Sequence, residues 1–138
     1  MKAGEARVLL TGASGGLGRA MAAELQGAGA VVMGVGRHAG PAGANWIRAD
    51  LNRPEGIASV AQAAAAWRPN VVVHAAGLPG FGALQAVQPE RIAAVLQANL
   101  LGPMLLTQAL LLQLLALPRA QLVFVGSALG RIGLPGFS

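Results

Sequence analysis

Cysteine and tyrosine are both missing from this sequence, lysine occurs once, at Lys2, and histidine twice. Without cysteine there is no disulfide framework and no thiolate metal site, and His38 and His74 lack companions at ligand spacing, so no metal chemistry is expected. Charge is sparse too: 11% of the 138 residues are charged and 54% are hydrophobic. That balance excludes a disordered chain and is more apolar than an ordinary soluble domain, so some apolar surface is either deeply buried or awaiting a partner. The length suits one domain with a real core and is short for two.

The charge that is present is basic, a formal +5 from ten Lys and Arg against five Asp and Glu. These cations are scattered from Lys2 to Arg131 without forming a stripe, and aromatic residues are few. Nucleic acid is therefore not an expected partner, and a single anionic ligand is a better match. Met1 to Ala6 carries charges and then enters a strand-like run, unlike a signal peptide, which makes a cytoplasmic protein the expectation. Leu100 to Leu117 is almost wholly apolar, but Pro103, Gln108 and Gln113 interrupt it and Pro118 closes it. We read it as a helix buried on more than one side, with no membrane as partner.

Strand and helix patterns alternate along the chain. Strands are expected at Arg7 to Thr11, Ala30 to Val35, Asn45 to Ala49, Asn70 to Ala75 and Gln121 to Val125. Helices are expected at Gly16 to Gly27, at Pro54 to Trp67 with proline in the first turn, and from Pro89 to about Ala116, bent near Gly102-Pro103. Ala39 to Ala44 is a Gly/Ala/Pro loop. Aliphatic strands separated by helices imply a parallel sheet covered on both faces. The fold class is therefore α/β: one domain over 1–138, a three-layer, Rossmann-like doubly wound sheet of about five strands.

Function begins at the first strand–helix turn, Thr11-Gly12-Ala13-Ser14-Gly15-Gly16-Leu17-Gly18. Glycines let the backbone approach a pyrophosphate, and the helix start that follows offers unpaired N–H groups and a favourable dipole. The pattern Thr-Gly-x-x-x-Gly-x-Gly resembles the short-chain dehydrogenase/reductases, and four further matches follow in that family's order. Asp50-Leu51 resembles the acidic position that accepts a hydrogen bond from the adenine amino group. His74-Ala75-Ala76-Gly77 is similar to an Asn-Asn-Ala-Gly segment that closes over the cofactor, with His74 a departure that we read as structural. Asn99 resembles the asparagine that kinks the helix and supports a proton relay, and Ser127 the serine that steadies the substrate carbonyl. Taken singly, Asp50 also suits an acid near a helix start, Asn99 a helix bend and Ser127 a strand end. Their joint order points to the family.

Where an NAD-binding protein of this architecture wants an acid for the ribose 2′-hydroxyl, the sequence has Gly36-Arg37. A guanidinium matches a 2′-phosphate in shape and charge, and Ser14 could add a hydroxyl, so NADP(H) is favoured over NAD(H). The resemblance implies hydride transfer between the nicotinamide and a small-molecule carbonyl or alcohol. Ser127 and Asn99 supply two of the family's four catalytic roles. The family's tyrosine would fall two residues beyond Ser138, after a loop like Gly130 to Ser138, and its lysine four residues later. We therefore expect a truncated member, nearly inactive alone because loss of a general acid costs about 10²–10⁴ in rate, yet able to bind NADP(H). Leu105, Leu106, Leu110, Leu112 and Leu115 are expected to lose part of their cover, which favours self-association or a homo-oligomer through Met104 to Leu115. A non-catalytic NADP(H)-binding or partner-docking module is the alternative.

Overall fold

Five aliphatic runs form one parallel sheet in the computed structural model, which describes residues 2–132. They are β1 (Arg7–Thr11), β2 (Val31–Gly36), β3 (Asn45–Arg48), β4 (Val71–His74) and β5 (Gln121–Phe124), ordered β3-β2-β1-β4-β5. β1 is central, with Leu9 level with Met33 on one side and Val72 on the other. The predicted strand ends move by a residue at β2, β3, β4 and β5, while β1 and the first two helices fall where the sequence puts them.

Side chains alternate across the strands, and each face has its own helices. Val8, Leu10, Val32 and Val73 meet Met21, Ala22 and Leu25 of α1 (Gly16–Gly27) on one side. Leu9, Val35 and Val72 meet Ile57, Val60 and Ala64 of α2 (Pro54–Trp67) and Leu106, Leu110 and Leu114 of α4 (Gly102–Leu115) on the other. This is the expected three-layer, Rossmann-like α/β fold. Val8, Leu9 and Leu10 are wholly buried, and each such side chain contributes roughly 1.5–3 kcal/mol of hydrophobic stabilisation.

The long helical region is irregular beside Gly102-Pro103, and one expectation about its cover is corrected. The irregularity is a π-helical turn, Gln97–Leu101, between α3 (Pro89–Leu96) and α4, which contains Asn99 and ends directly before the Gly102-Pro103 pair. The Gly102 N–H bonds back five residues to the Gln97 carbonyl. Pro103 has no N–H to give the carbonyl four residues earlier, so the ladder is already out of step at Asn99.

α4 is also buried on one side only. Leu106, Leu110 and Leu114 enter the core, whereas Leu112 is 84% and Leu115 71% exposed. Leu106 and Leu110 thus keep the cover they were expected to lose in part, because α2 and the sheet supply it. Pro89–Leu115 is, by length and composition alone, apolar enough to cross a membrane. At the sheet edge, Leu122 and Phe124 of β5 are exposed, so cover on both faces holds at β1 and β4 but not there. Gly133 to Ser138, most of the loop read as leading toward a tyrosine, lie outside the described residues.

Candidate functional site

The strand order reverses between β1 and β4, and an open crevice lies at the carboxyl ends of those strands, where ligands bind in sheets of this type. Its floor is the glycine turn. Gly12 has φ of 70°, and a Cβ there would come within 2.7 Å of the Ala75 carbonyl and Ala76 backbone. Gly18 is buried against Gly12, where a Cβ would approach the Ala13 Cα to 2.8 Å, so it lets α1 seat on β1. By contrast, a Cβ on Gly16 would meet nothing within 4 Å.

Gly16, Leu17 and Gly18 follow directly on the turn residues that line the crevice. Gly15 caps α1 with no side-chain hydrogen bond, which leaves the first-turn N–H groups of Gly16, Leu17 and Gly18 available to an anion. Gly12, Ser14 and Gly15 line the crevice, and Arg37 lines its rim just past β2 with its side chain exposed. The donor set therefore fits a dinucleotide phosphate.

Thr11 is 1% exposed and sits behind the turn. Its Oγ1 accepts the N–H groups of Ala75 and Ala76, both at 3.1 Å, and so fixes the segment leaving β4. Ala75, Ala76 and Gly77 line the crevice opposite the glycine turn. Beyond them the Asn99 carboxamide grips Leu78 twice, accepting its N–H at 2.7 Å and donating to its carbonyl at 2.8 Å. Gly77 leaves room for this grip, since a Cβ there would lie 3.1 Å from Asn99 Oδ1.

Asp50 and Leu51 line the far wall. Asp50 Oδ1 accepts the Asn52 N–H at 3.0 Å and Oδ2 lies 3.9 Å from Arg53 Nε. The carboxylate is thus shared between the crevice and the start of α2. Leu51 turns its carbonyl toward Gly102, joining this wall to the start of α4. Ser127 follows β5, two residues past Val125, whose N–H bonds to the His74 carbonyl. It lies outside the lining of the crevice, and its carbonyl accepts the Gly130 N–H.

His74 has the structural setting expected of it. The ring is 4% exposed, stacks on Phe124 at 4.8 Å and shares a 2.9 Å hydrogen bond with Thr107 of α4. Burial lowers its pKa from 6.5 to about 4, so the ring is neutral at pH 7.

Leu78 lines the crevice and acts there through its backbone. Three side chains, those of Arg91, Trp46 and Arg48, escaped the sequence reading. Arg91 donates to the Pro79 carbonyl at 2.6 Å, steadying the loop after the crevice. Trp46 and Arg48 of β3 hold the segment after β2, donating to the carbonyls of His38 and Arg37. Gly34 and Gly36, on one side of a strand, were the available signal that a neighbour fills the space.

The chain from residue 6 to residue 138 matches the family model described as short chain dehydrogenase. This chain belongs to that family. It is similar to a short-chain dehydrogenase from Streptomyces avermitilis, at 31% identity and a TM-score of 0.86, over 95% of this chain and 52% of that one. A protein from Beutenbergia cavernae, assigned as a candidate NAD(P)-dependent gluconate 5-dehydrogenase and solved with NADP bound at low occupancy, is 30% identical. Its TM-score is 0.86 over 96% of this chain and 58% of that one. A spectinabilin polyketide synthase system protein from Streptomyces orinoci is 39% identical over 106 residues, which are 64% of this chain and 3% of that protein. The short-chain dehydrogenase therefore spans about half the length of these two solved relatives.

Proposed function

We propose that this chain is the NADP(H)-binding part of an oxidoreductase that moves a hydride between nicotinamide and a small-molecule carbonyl or alcohol. The observation that carries the reading is the crevice at the strand-order reversal, with an uncapped helix start on one side and Arg37 on its rim. The relative solved with NADP supports the cofactor class.

In this reading the amides of Gly16, Leu17 and Gly18 hold the pyrophosphate, and Gly12 and Gly15 let it come close. Arg37 and Ser14 hold the ribose 2′-phosphate, and the absence of an acid at Gly36 removes the group that would repel it. Asp50 accepts from the adenine amino group beside Leu51, and Ala75, Ala76 and Gly77 form the facing wall. When bound, the nicotinamide gives or takes the hydride. Ser127 donates a hydrogen bond to the substrate oxygen as negative charge grows there. Asn99 holds the wall segment at Leu78 in place.

The sequence has no tyrosine, and Lys2 precedes β1 at the end of the sheet away from the crevice. Within these 138 residues no phenol is available to deliver the proton, so this chain by itself binds NADP(H) and turns over very slowly. We assign it to the cytoplasm, with the buried stripe of α4 built into the protein core and its outer leucines favouring self-association. Titration with NADPH and NADH by fluorescence tests the cofactor reading. NADPH should bind at least about tenfold more tightly, as one charge-assisted phosphate contact allows; equal affinities would remove the role given to Arg37.

A further inference from the structure

Trp46 does more than fill the edge of the core. Its indole lies across the glycines of β2: a Cβ on Gly34 would come within 2.6 Å of the ring at Cε3, and one on Gly36 within 2.6 Å at Cζ2. Gly40, in the following loop, sits against the same ring. The Nε1–H donates to the His38 carbonyl at 2.8 Å. Two residues on, Arg48 Nε donates to the Arg37 carbonyl at 3.2 Å. Side chains of β3 therefore hold two successive carbonyls of the segment that carries the Arg37 guanidinium, and a planar ring occupies the volume beside position 36.

From this we infer that Trp46 is a positioning residue for nucleotide selectivity: it fixes the backbone that presents Arg37, and it excludes any side chain, an acid above all, from position 36. The inference rests on the nucleotide reading above and deepens it. The ring is held by its own hydrogen bond and by Gly40, so it cannot swing aside as the tip of a flexible side chain would. The space that an aspartate at position 36 needs also borders Ser14, whose Oγ would lie 3.1 Å from the new Cβ. Selectivity in this crevice is thus set from behind, by a residue outside its lining.

The probes are adenosine 2′,5′-bisphosphate and adenosine 5′-monophosphate, with binding of each to the 138-residue chain measured by calorimetry. The native chain should prefer the bisphosphate. Trp46→Phe keeps a ring over the glycines but removes the N–H, and should lower that preference several-fold while monophosphate binding stays within about twofold. Gly36→Asp alone should weaken both ligands. Gly36→Asp with Trp46→Ala should recover monophosphate binding and reverse the preference.

A Gly36→Asp chain that folds and reverses the preference with Trp46 in place would overturn the inference. If that variant does not fold, Trp46→Phe decides, and an unchanged preference overturns it. A native chain that binds neither probe defeats the nucleotide reading itself, and one that binds both equally defeats the role of Arg37. Those results are distinct from a selective native chain whose selectivity ignores Trp46.

Discussion

The Asn99 carboxamide and the Leu78 peptide exchange two hydrogen bonds, at 2.7 and 2.8 Å, and so fasten the π-helical turn to the segment leaving β4. Thr11 fastens the other end of that segment from β1. Between them, Ala75 to Gly77 forms a crevice wall held at both ends before any ligand arrives, which lowers the ordering cost of binding.

Removing the Asn99 grip should therefore loosen the wall without dissolving the fold. Asn99→Ala is expected to cost about 0.5–1.5 kcal/mol in stability, read by urea unfolding, because both hydrogen bonds to Leu78 are lost while water can partly replace them at this exposed position. Hydrogen exchange at the Leu78 amide should accelerate by more than that of β4. Unchanged exchange at Leu78 would show that the grip is not made in solution.

Thr11 gives a sharper comparison because valine copies its shape. Thr11→Val strands the Ala75 and Ala76 amides behind the turn and should destabilise by about 1–3 kcal/mol, whereas Thr11→Ser keeps the acceptor and should lose less. Equal losses in urea midpoint would assign the effect to packing.

His74 makes stability depend on acidity. Its folded pKa of about 4 lies below the unfolded value of 6.5, so the unfolded chain takes up a proton first. The stability this ring contributes is complete above about pH 6.5 and is lost as pH falls from there toward 4. Between pH 7.5 and 5 the loss should be about 2 kcal/mol by urea unfolding, and His74→Phe should flatten that interval. A native chain equally stable at both values would contradict the buried neutral ring.

The two sides of α4 should respond oppositely to substitution. Leu110 is 1% exposed, and Leu110→Ala should cost about 2–5 kcal/mol. Leu112→Gln should change stability by less than about 0.5 kcal/mol and reduce self-association in a sedimentation run. A native chain that stays monomeric at high concentration would leave self-association without support.

The fold was legible because its signals are local. Val71 to Val73 reads as a strand, Pro54 marks a helix start, and the glycine run between Thr11 and Gly18 has one common use between a strand and a helix. The irregularity beside Pro103 was legible, but its π-helical form was not, because the effect of a proline appears where a carbonyl loses its donor, one turn upstream. That α4 leaves leucines short of cover was legible, but which leucines was not, and the bare face of β5 was missed, because an apolar run does not say which of its sides finds cover. Nor could residue type show that Thr11 and Asn99 turn their polar atoms onto the backbone of 75–78. Trp46 was hidden for a related reason: its importance comes from Gly34, Gly36 and Gly40 converging on one ring, and convergence belongs to three dimensions.

The central claim is that a dinucleotide phosphate rests on the amides opening α1. Amide shifts of the isotopically labelled chain, followed during titration with NADPH, test it most directly. The account predicts that Gly15, Gly16, Leu17 and Gly18 move first and furthest, with Arg37 and Ala76 following. Saturable binding that leaves those four amides in place would contradict it.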